Sequence, residues 1–196
     1  MTDRNSSKAP APLVILTTQR LVLRATTEAD IAVMHERVFG DADVMSHVFL
    51  GNVMTRERAE SFMREHFTFG AKRTGIAILT EKSNSNVIGF AGLFPCKALD
   101  ADDLEIGFVM AKQAWGKGYA TEIGMAQLAM GFDELGCQRL LGLVEPRNAA
   151  SIHALTKLGM RFLKDVISTI RPPRSVYAML SDEWRNRPSS RMAIRE

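Results

Sequence analysis

The chain has 196 residues, 46% of them hydrophobic and 24% charged, with a formal net charge of +3. That is the length and balance of one ordinary globular domain, and no apolar run approaches the roughly 20 residues needed to span a bilayer. Residues Arg171 to Glu196 carry six arginines against Asp182, Glu183 and Glu196; the remainder is close to neutral, so no dense basic face for a nucleic-acid partner is expected.

In chain order, Met1 to Pro12 is polar and proline-bearing and lacks the apolar centre of a secretory signal. It reads as a loose tail (1–12) on a cytoplasmic protein. Leu13 to Leu16 can form an extended piece before Arg20–Arg24, which alternates as a strand does. Thr27, with Asp30 three residues on, marks a helix start, and Ile31, Met34, His35 and Val38 share a face up to Gly40. Asp41 to Val53 is irregular, with a short helical turn expected around Val44 to Phe49. A clearer helix begins at Thr55 or Arg56, because Ala59, Phe62, Met63, His66 and Phe67 keep helical spacing before Gly70.

Strands are expected at Gly75–Glu81 and Val87–Phe94, joined by the polar turn Lys82 to Asn86. Leu104 to Met110 is a third, followed by a glycine-bearing loop and a long helix from Tyr119 to Leu135. Its expected buried stripe is Gly124, Leu128, Phe132 and Leu135, with Gly136 as the stop. A buried strand, Arg139–Val144, leads through Pro146 to a helix over Ala149–Leu158 that turns Ile152, Leu155 and Leu158 inward. Arg161–Ile170 and Ser175–Leu180 form a last strand pair, and a basic tail follows (186–196). Cys96 and Cys137 form no Cys-x-x-Cys and read as reduced thiols. The histidines 35, 47, 66 and 153 show no ligand spacing, so no metal is expected.

This order gives a single α/β domain (13–185) with a mixed sheet rather than a doubly wound one. The strand–loop–helix from Leu104 to Leu135 organises it. Gly116 and Gly118 at a helix start allow a tight turn and a close backbone approach to a ligand. The N–H groups just after them have no intrahelical partner and sit at the positive end of the helix dipole, so they can hold phosphate. The spacing is neither a Walker A loop nor a three-glycine dinucleotide fingerprint.

Gln113-x-x-Gly116-x-Gly118-x-Ala120 resembles the signature of the GCN5-related N-acetyltransferase (GNAT) family. Trp115 to Glu122 is similar to the branch that acetylates ribosomal-protein N-termini. Thr17–Arg24, Asn148–Ile152, Lys157–Phe162 and Tyr177–Leu180 fit that branch in the same order, so the likeness spans roughly Leu16 to Arg185. The resemblance implies a mostly antiparallel sheet of six to seven strands with helices on both faces. It also implies acetyl-coenzyme A as cosubstrate and direct acetyl transfer to a primary amine, of a peptide N-terminus or a small molecule. Monomers and homodimers both occur in the family. An acyl-coenzyme A sensor without turnover is the alternative reading, and an RNA-associated protein using the arginine tail is a third.

By the same resemblance, the backbone of Phe108, Val109 and Met110 holds the pantetheine arm. Ala114, Trp115, Gly116, Lys117, Gly118 and Tyr119 cradle the pyrophosphate, and Asn148 orients the pantetheine. Lys157 or Arg147 is left for the ribose phosphate. An amine attacks only when neutral, so a base is needed at pH 7. Glu105, a carboxylate between Leu104 and Ile106, is the candidate base, with Glu122 as the alternative. The family tyrosine seven residues after the asparagine is replaced by Leu155, which leaves Ser151 as the candidate acid. The acceptor site is expected from Asp41–Val53, the helix after Thr55 and the Pro172–Arg174 turn.

Overall fold

A computed structural model describes residues 11–46, 48–70, 72–167 and 172–187. Most of the two expected tails, His47 and part of the last hairpin lie outside the described residues. Strands β1 (Val14–Thr17) and β2 (Leu21–Arg24) lead into α1 (Glu28–Met34), α2 (Ala42–Met45) and α3 (Arg56–His66). Strands β3 (Gly75–Glu81), β4 (Val87–Cys96) and β5 (Asp103–Met110) precede α4 (Tyr119–Ala129). The chain continues through β6 (Arg139–Val144), α5 (Ala149–Lys157), β7 (Arg161–Val166), β8 (Arg174–Leu180) and α6 (Ser181–Arg185).

One sheet runs in the order β1-β2-β3-β4-β5-β6-β8-β7. Every neighbouring pair is antiparallel except β5 and β6. The sheet has eight strands, one more than expected. The extra one is β1, where an extended piece was expected at Leu13–Leu16; its pairing with β2 makes it a strand. The helical turn expected at Val44–Phe49 lies earlier, at α2, because the Asp41 carboxylate accepts the N–H groups of Asp43 and Val44 and starts it there. Leu135 is 40% exposed and leaves the expected stripe. After Ala129 the helix widens into a π-turn over Met130–Glu134, whose extra residue per turn rotates Leu135 out of phase with the stripe. The short helix α6 was not expected; it is held by Trp184, buried against Phe132, with its indole N–H on the Asp133 carboxylate at 2.8 Å.

The two faces of the sheet carry separate cores. Leu104, Ile106, Phe108 and Met110 of β5 face α4 and α5 and join Ile123, Leu128, Leu155 and Leu158. On the opposite face Ile78, Phe90 and Val109 pack under α1 to α3 with Met34, Phe39 and Met63. A small third cluster, Cys96, Leu141 and Val176, lies further along that second face. Between the last two clusters the sheet carries less cover, and that is where the site lies.

One polar contact anchors the helical layer. Arg24 bonds both oxygens of the buried Asp30 carboxylate at 2.8 and 2.7 Å, and the Thr27 N–H and hydroxyl add bonds of 2.7 and 2.8 Å. Burial pushes the Asp30 carboxyl up, but these four donors outweigh it and hold it below the usual aspartate range. Its folded pKa is therefore depressed. The stabilisation is present above the unfolded value of roughly 3.9 and is lost as pH falls through the lower folded value. Asp30→Asn should cost about 2 kcal/mol at pH 7, from charge-assisted bonds lost, and the gap from wild type should shrink on acidification to pH 3. Urea titrations at the two pH values read both effects; an equal cost at both would refute the assignment.

Candidate active site

The central feature is a gap between two parallel strands. Strands β5 and β6 pair only at Leu104–Leu140 and Glu105–Leu141. The Ala111 N–H bonds the Ile88 carbonyl at 2.8 Å. With the unbroken β4–β5 register, this makes Phe90–Val109, Gly92–Gly107 and Phe94–Glu105 the hydrogen-bonded pairs. The main-chain groups of Phe108 and Met110 therefore point away from β4, toward β6. Likewise the Ser181 N–H on the Gln138 carbonyl, at 2.9 Å, sets the β6–β8 phase and turns the main chain of Leu143 toward β5. Past Leu141 these facing groups have no ladder partner, which leaves an edge-lined slot in the middle of the sheet. Val109, whose main chain pairs with Phe90 and whose side chain packs under the helices, is not part of its wall. The Met110 carbonyl is taken by the Trp115 indole N–H at 2.8 Å, while the N–H groups of Phe108 and Met110 and the Phe108 carbonyl have no partner among the described residues.

At the open end of the slot the chain forms the glycine loop. Gly116 and Gly118 have φ of 73° and 78°, left-handed values that side chains with a Cβ rarely adopt. A 3-10 turn at Lys112–Ala114 precedes them and α4 starts on Gly118. The N–H groups of Ala114 and Trp115 close that turn on the carbonyls of Ala111 and Lys112. Those of Gly116 through Thr121 have no acceptor among the described residues. Six consecutive amides at the positive end of an eleven-residue helix form an anion cradle.

Glu105 lies at the closed end of the slot and alternates away from Leu104 and Ile106, onto the face of Leu141 and Cys96. The Cys96 thiol is pushed up, first by burial and further by the Glu105 carboxylate that it faces. The Cys137 thiol is also pushed up by burial. Both sulfurs are free and stay protonated near neutrality, which makes them poor nucleophiles. Asn148 caps α5: its Oδ1 accepts the Ser151 N–H at 3.0 Å, and its amide N–H groups have no partner among the described residues. Ser151, at the third helical position, is half-buried beside it, and its hydroxyl has no partner among the described residues. Leu155 is core; its methyl carbon would lie 2.7 Å from a Cβ on Gly142.

A family model for the GNAT acetyltransferase domain matches residues 20–161. The Bacillus subtilis protein YkkB is 30% identical over 80% of this chain and 91% of its own. This chain belongs to the GNAT acetyltransferase family. A GNAT acetyltransferase structure from Bacillus anthracis superposes with a TM-score of 0.73 at 26% identity, over 86% of this chain and 99% of that one. The fold is also that of a Vibrio cholerae spermidine N-acetyltransferase solved with CoA and spermine (TM-score 0.67, 18% identity, 85% and 98% covered).

This GNAT enzyme is an acetyl-coenzyme A-dependent N-acetyltransferase, and the slot and amide cradle suit a thioester carried on a diphosphate arm. Its acidic and basic groups around the loop have a second job. Glu122, the alternative base, accepts from the Thr18 hydroxyl at 2.6 Å, the Arg20 N–H at 2.8 Å and the Arg20 guanidinium at 2.6 Å. Burial raises the Glu122 carboxyl, but those donors win and hold it below the usual range. A carboxylate so saturated is a weak base. Instead Arg20, which also bonds the Lys117 carbonyl at 2.9 Å, ties the β1–β2 turn to the glycine loop and keeps its amides turned outward. The Lys117 ammonium meets Glu81 at 3.5 Å, and Glu81 also accepts the Tyr119 hydroxyl at 2.8 Å. Sequence reasoning gave Thr18 and Arg20 no role, although both sit in the family-like opening segment.

Glu122→Gln should therefore raise the KM for acetyl-coenzyme A about tenfold, roughly one charge-assisted bond, with kcat held within about twofold. Steady-state kinetics at saturating acceptor decide it; a collapse of kcat with unchanged KM would make Glu122 a chemical group after all. A polar cleft of about 550 Å³ lined by Glu36, Asp41, Glu81, Gln113 and Lys117 flanks the same loop. Its walls come from β3, the β3–β4 turn, β4, the first helical layer and the glycine loop itself, on the far side of β5 from β6, so it shares the loop with the cradle but not the edges of the slot. Among the described residues no helix is long and apolar enough to cross a membrane.

Proposed function

We propose that Glu105 is the base of this acetyltransferase and that the acceptor amine reaches it from the face of the sheet carrying α1 to α3. The observation that carries the reading is the position of Glu105: a strand carboxylate at the closed end of the slot, on the side opposite α4. The cradle amides from Gly116 to Tyr119, with Ala114 and Trp115 shaping the turn, hold the pyrophosphate. The free main-chain groups of Phe108 and Met110 bond the pantetheine. The Asn148 amide steadies the same arm from the β6 side. Acetyl-coenzyme A supplies an activated acyl carbon in that slot. Glu105, directly or through a water, takes the proton that the acceptor must lose to present a lone pair. The Ser151 hydroxyl returns a proton to the departing sulfur.

For the acceptor class, the likeness of Trp115–Glu122 to the ribosomal-protein branch supports a peptide N-terminus. The exposed side chains of Leu50 and Val53 beside α3 offer apolar contact to a peptide's second and third residues, which a polyamine would not use. Acetyl-coenzyme A is an intracellular thioester, which supports a cytoplasmic site of action. The test follows thiol release from acetyl-coenzyme A with peptides of free N-terminal Ser or Ala, with spermidine and with kanamycin. Peptides should give the highest kcat/KM. Preferential turnover of spermidine, the substrate named for the Vibrio cholerae relative, would overturn the peptide assignment.

A further inference from the structure

On the Glu105 face of the sheet, toward the open end of the slot, a contact joins two parts of the chain 125 residues apart. The Arg174 guanidinium donates to the Phe49 carbonyl at 2.9 Å. Arg174 is the first residue of β8 and lies opposite Val166 of β7, at the base of the last hairpin. It shares its face of the sheet with Val176 and Ala178, and hence with Leu141 and Glu105. Phe49 belongs to the connection between α2 and α3, which extends from the helical layer over β3 to β5. The bond thus joins the two covers that flank the slot on its acceptor side.

Phe49 is itself unusual. It is a bulky side chain at φ 53°, a left-handed conformation costing about 1 kcal/mol or more unless its surroundings hold it. Two contacts do so: the Arg174 bond on its carbonyl, and its ring packed edge-on to Phe62 at 4.8 Å. Among the described residues the connection is otherwise tied by Val48 N–H on the Met45 carbonyl, Gly51 N–H on the Val48 carbonyl and Met54 N–H on the Phe39 carbonyl, while Leu50 and Val53 stay exposed.

We propose that Arg174 is a positioning residue for the acceptor. By holding Phe49 it fixes residues 48–54 as an arch on the acceptor side of the slot and sets the width through which an amine reaches Glu105. The inference rests on the acceptor entering from the Glu105 face. An arch of fixed width passes an amine on a slender chain and rejects one carried on fused or linked rings. Lysine at position 174 retains a donor of similar reach and keeps part of the arch.

Two measurements on the 196-residue protein test this. In amide hydrogen exchange, Arg174→Ala should speed exchange across residues 48–54 about tenfold, the loss of one bond of about 1.4 kcal/mol. Residues 111–122 and the affinity for coenzyme A by calorimetry should stay within twofold, and Arg174→Lys should recover part of the protection. In parallel, kcat/KM for kanamycin relative to a Ser-terminated tetrapeptide should rise about tenfold in Arg174→Ala, with the acetyl-coenzyme A KM unchanged. Unchanged exchange across 48–54 overturns the arch. Faster exchange with an equal loss for both acceptors leaves Arg174 a merely structural tie and overturns its role in selection. If wild type turns over none of the amines, the acceptor reading fails instead, and the exchange result still decides whether Arg174 holds the connection.

Discussion

Glu105→Gln should lower kcat by about 10² to 10³-fold, the usual contribution of a positioned base, while coenzyme A binding stays within about twofold. Gln has the shape and hydrogen-bonding reach of Glu, so the strand, its β4 pairing and the slot are preserved; only proton acceptance is lost. The residual rate should climb with pH up to the acceptor's own pKa, because the amine must then shed its proton to solvent. For a peptide N-terminus that means a limb extending toward roughly pH 8. Wild type, with a base at hand, should level off sooner. Ser151→Ala gives the contrast: a modest loss in kcat, since a thiol leaves readily as thiolate. Full activity in Glu105→Gln across pH 6 to 9 would remove Glu105 from the chemistry and leave the amine to deprotonate in bulk water.

The features that were legible in the sequence are those set by local demands. The Arg20–Arg24 alternation, the Thr27 and Thr55 helix starts and the polar Lys82–Asn86 turn each carry their cause within a few residues, and each lies where it was expected. So does the glycine loop, since two left-handed φ values at a helix start leave little choice but glycine. The features that escaped depend on a partner elsewhere. Strand β1, expected only as an extended piece at Leu13–Leu16, becomes a strand because β2 is beside it, and α6 forms because Trp184 finds Phe132 and Asp133. Leu135 was misplaced because a π-turn shifts helical phase without a mark in the hydrophobic pattern. The same holds at the site. Glu105 could be suspected from an acidic residue inside an apolar strand. The Thr18–Arg20–Glu122 tie and the Arg174–Phe49 bond span 102 to 125 residues, and nothing local in either partner names the other.

Gly118→Val should raise the Kd for coenzyme A at least about 100-fold, close to 3 kcal/mol, with a smaller loss of fold stability. Gly118 sits at φ 78° and is the residue on which α4 starts. A β-branched side chain is a genuine outlier at that φ, so valine drives the residue toward negative φ and swings the preceding peptide. The Gly116 to Tyr119 N–H groups then no longer converge, and two or three charge-assisted bonds to a diphosphate, each about 1.5 kcal/mol, are lost or misdirected. Space is not the obstacle, because the nearest atom to a Cβ there is an Arg20 guanidinium nitrogen at 3.6 Å. The cost is conformational, and two further variants separate it from bulk. Gly118→Asn, whose side chain tolerates the left-handed region, should retain most of the affinity. Gly136→Val is a control: that glycine also has a left-handed φ, 67°, but lies at the far end of α4, so valine there should cost stability without touching affinity. Calorimetry of coenzyme A against all three, beside their melting temperatures, reads the distinction. If Gly118→Val binds as wild type does, the amide cradle is not what grips the diphosphate, and the pantetheine slot alone must account for recognition.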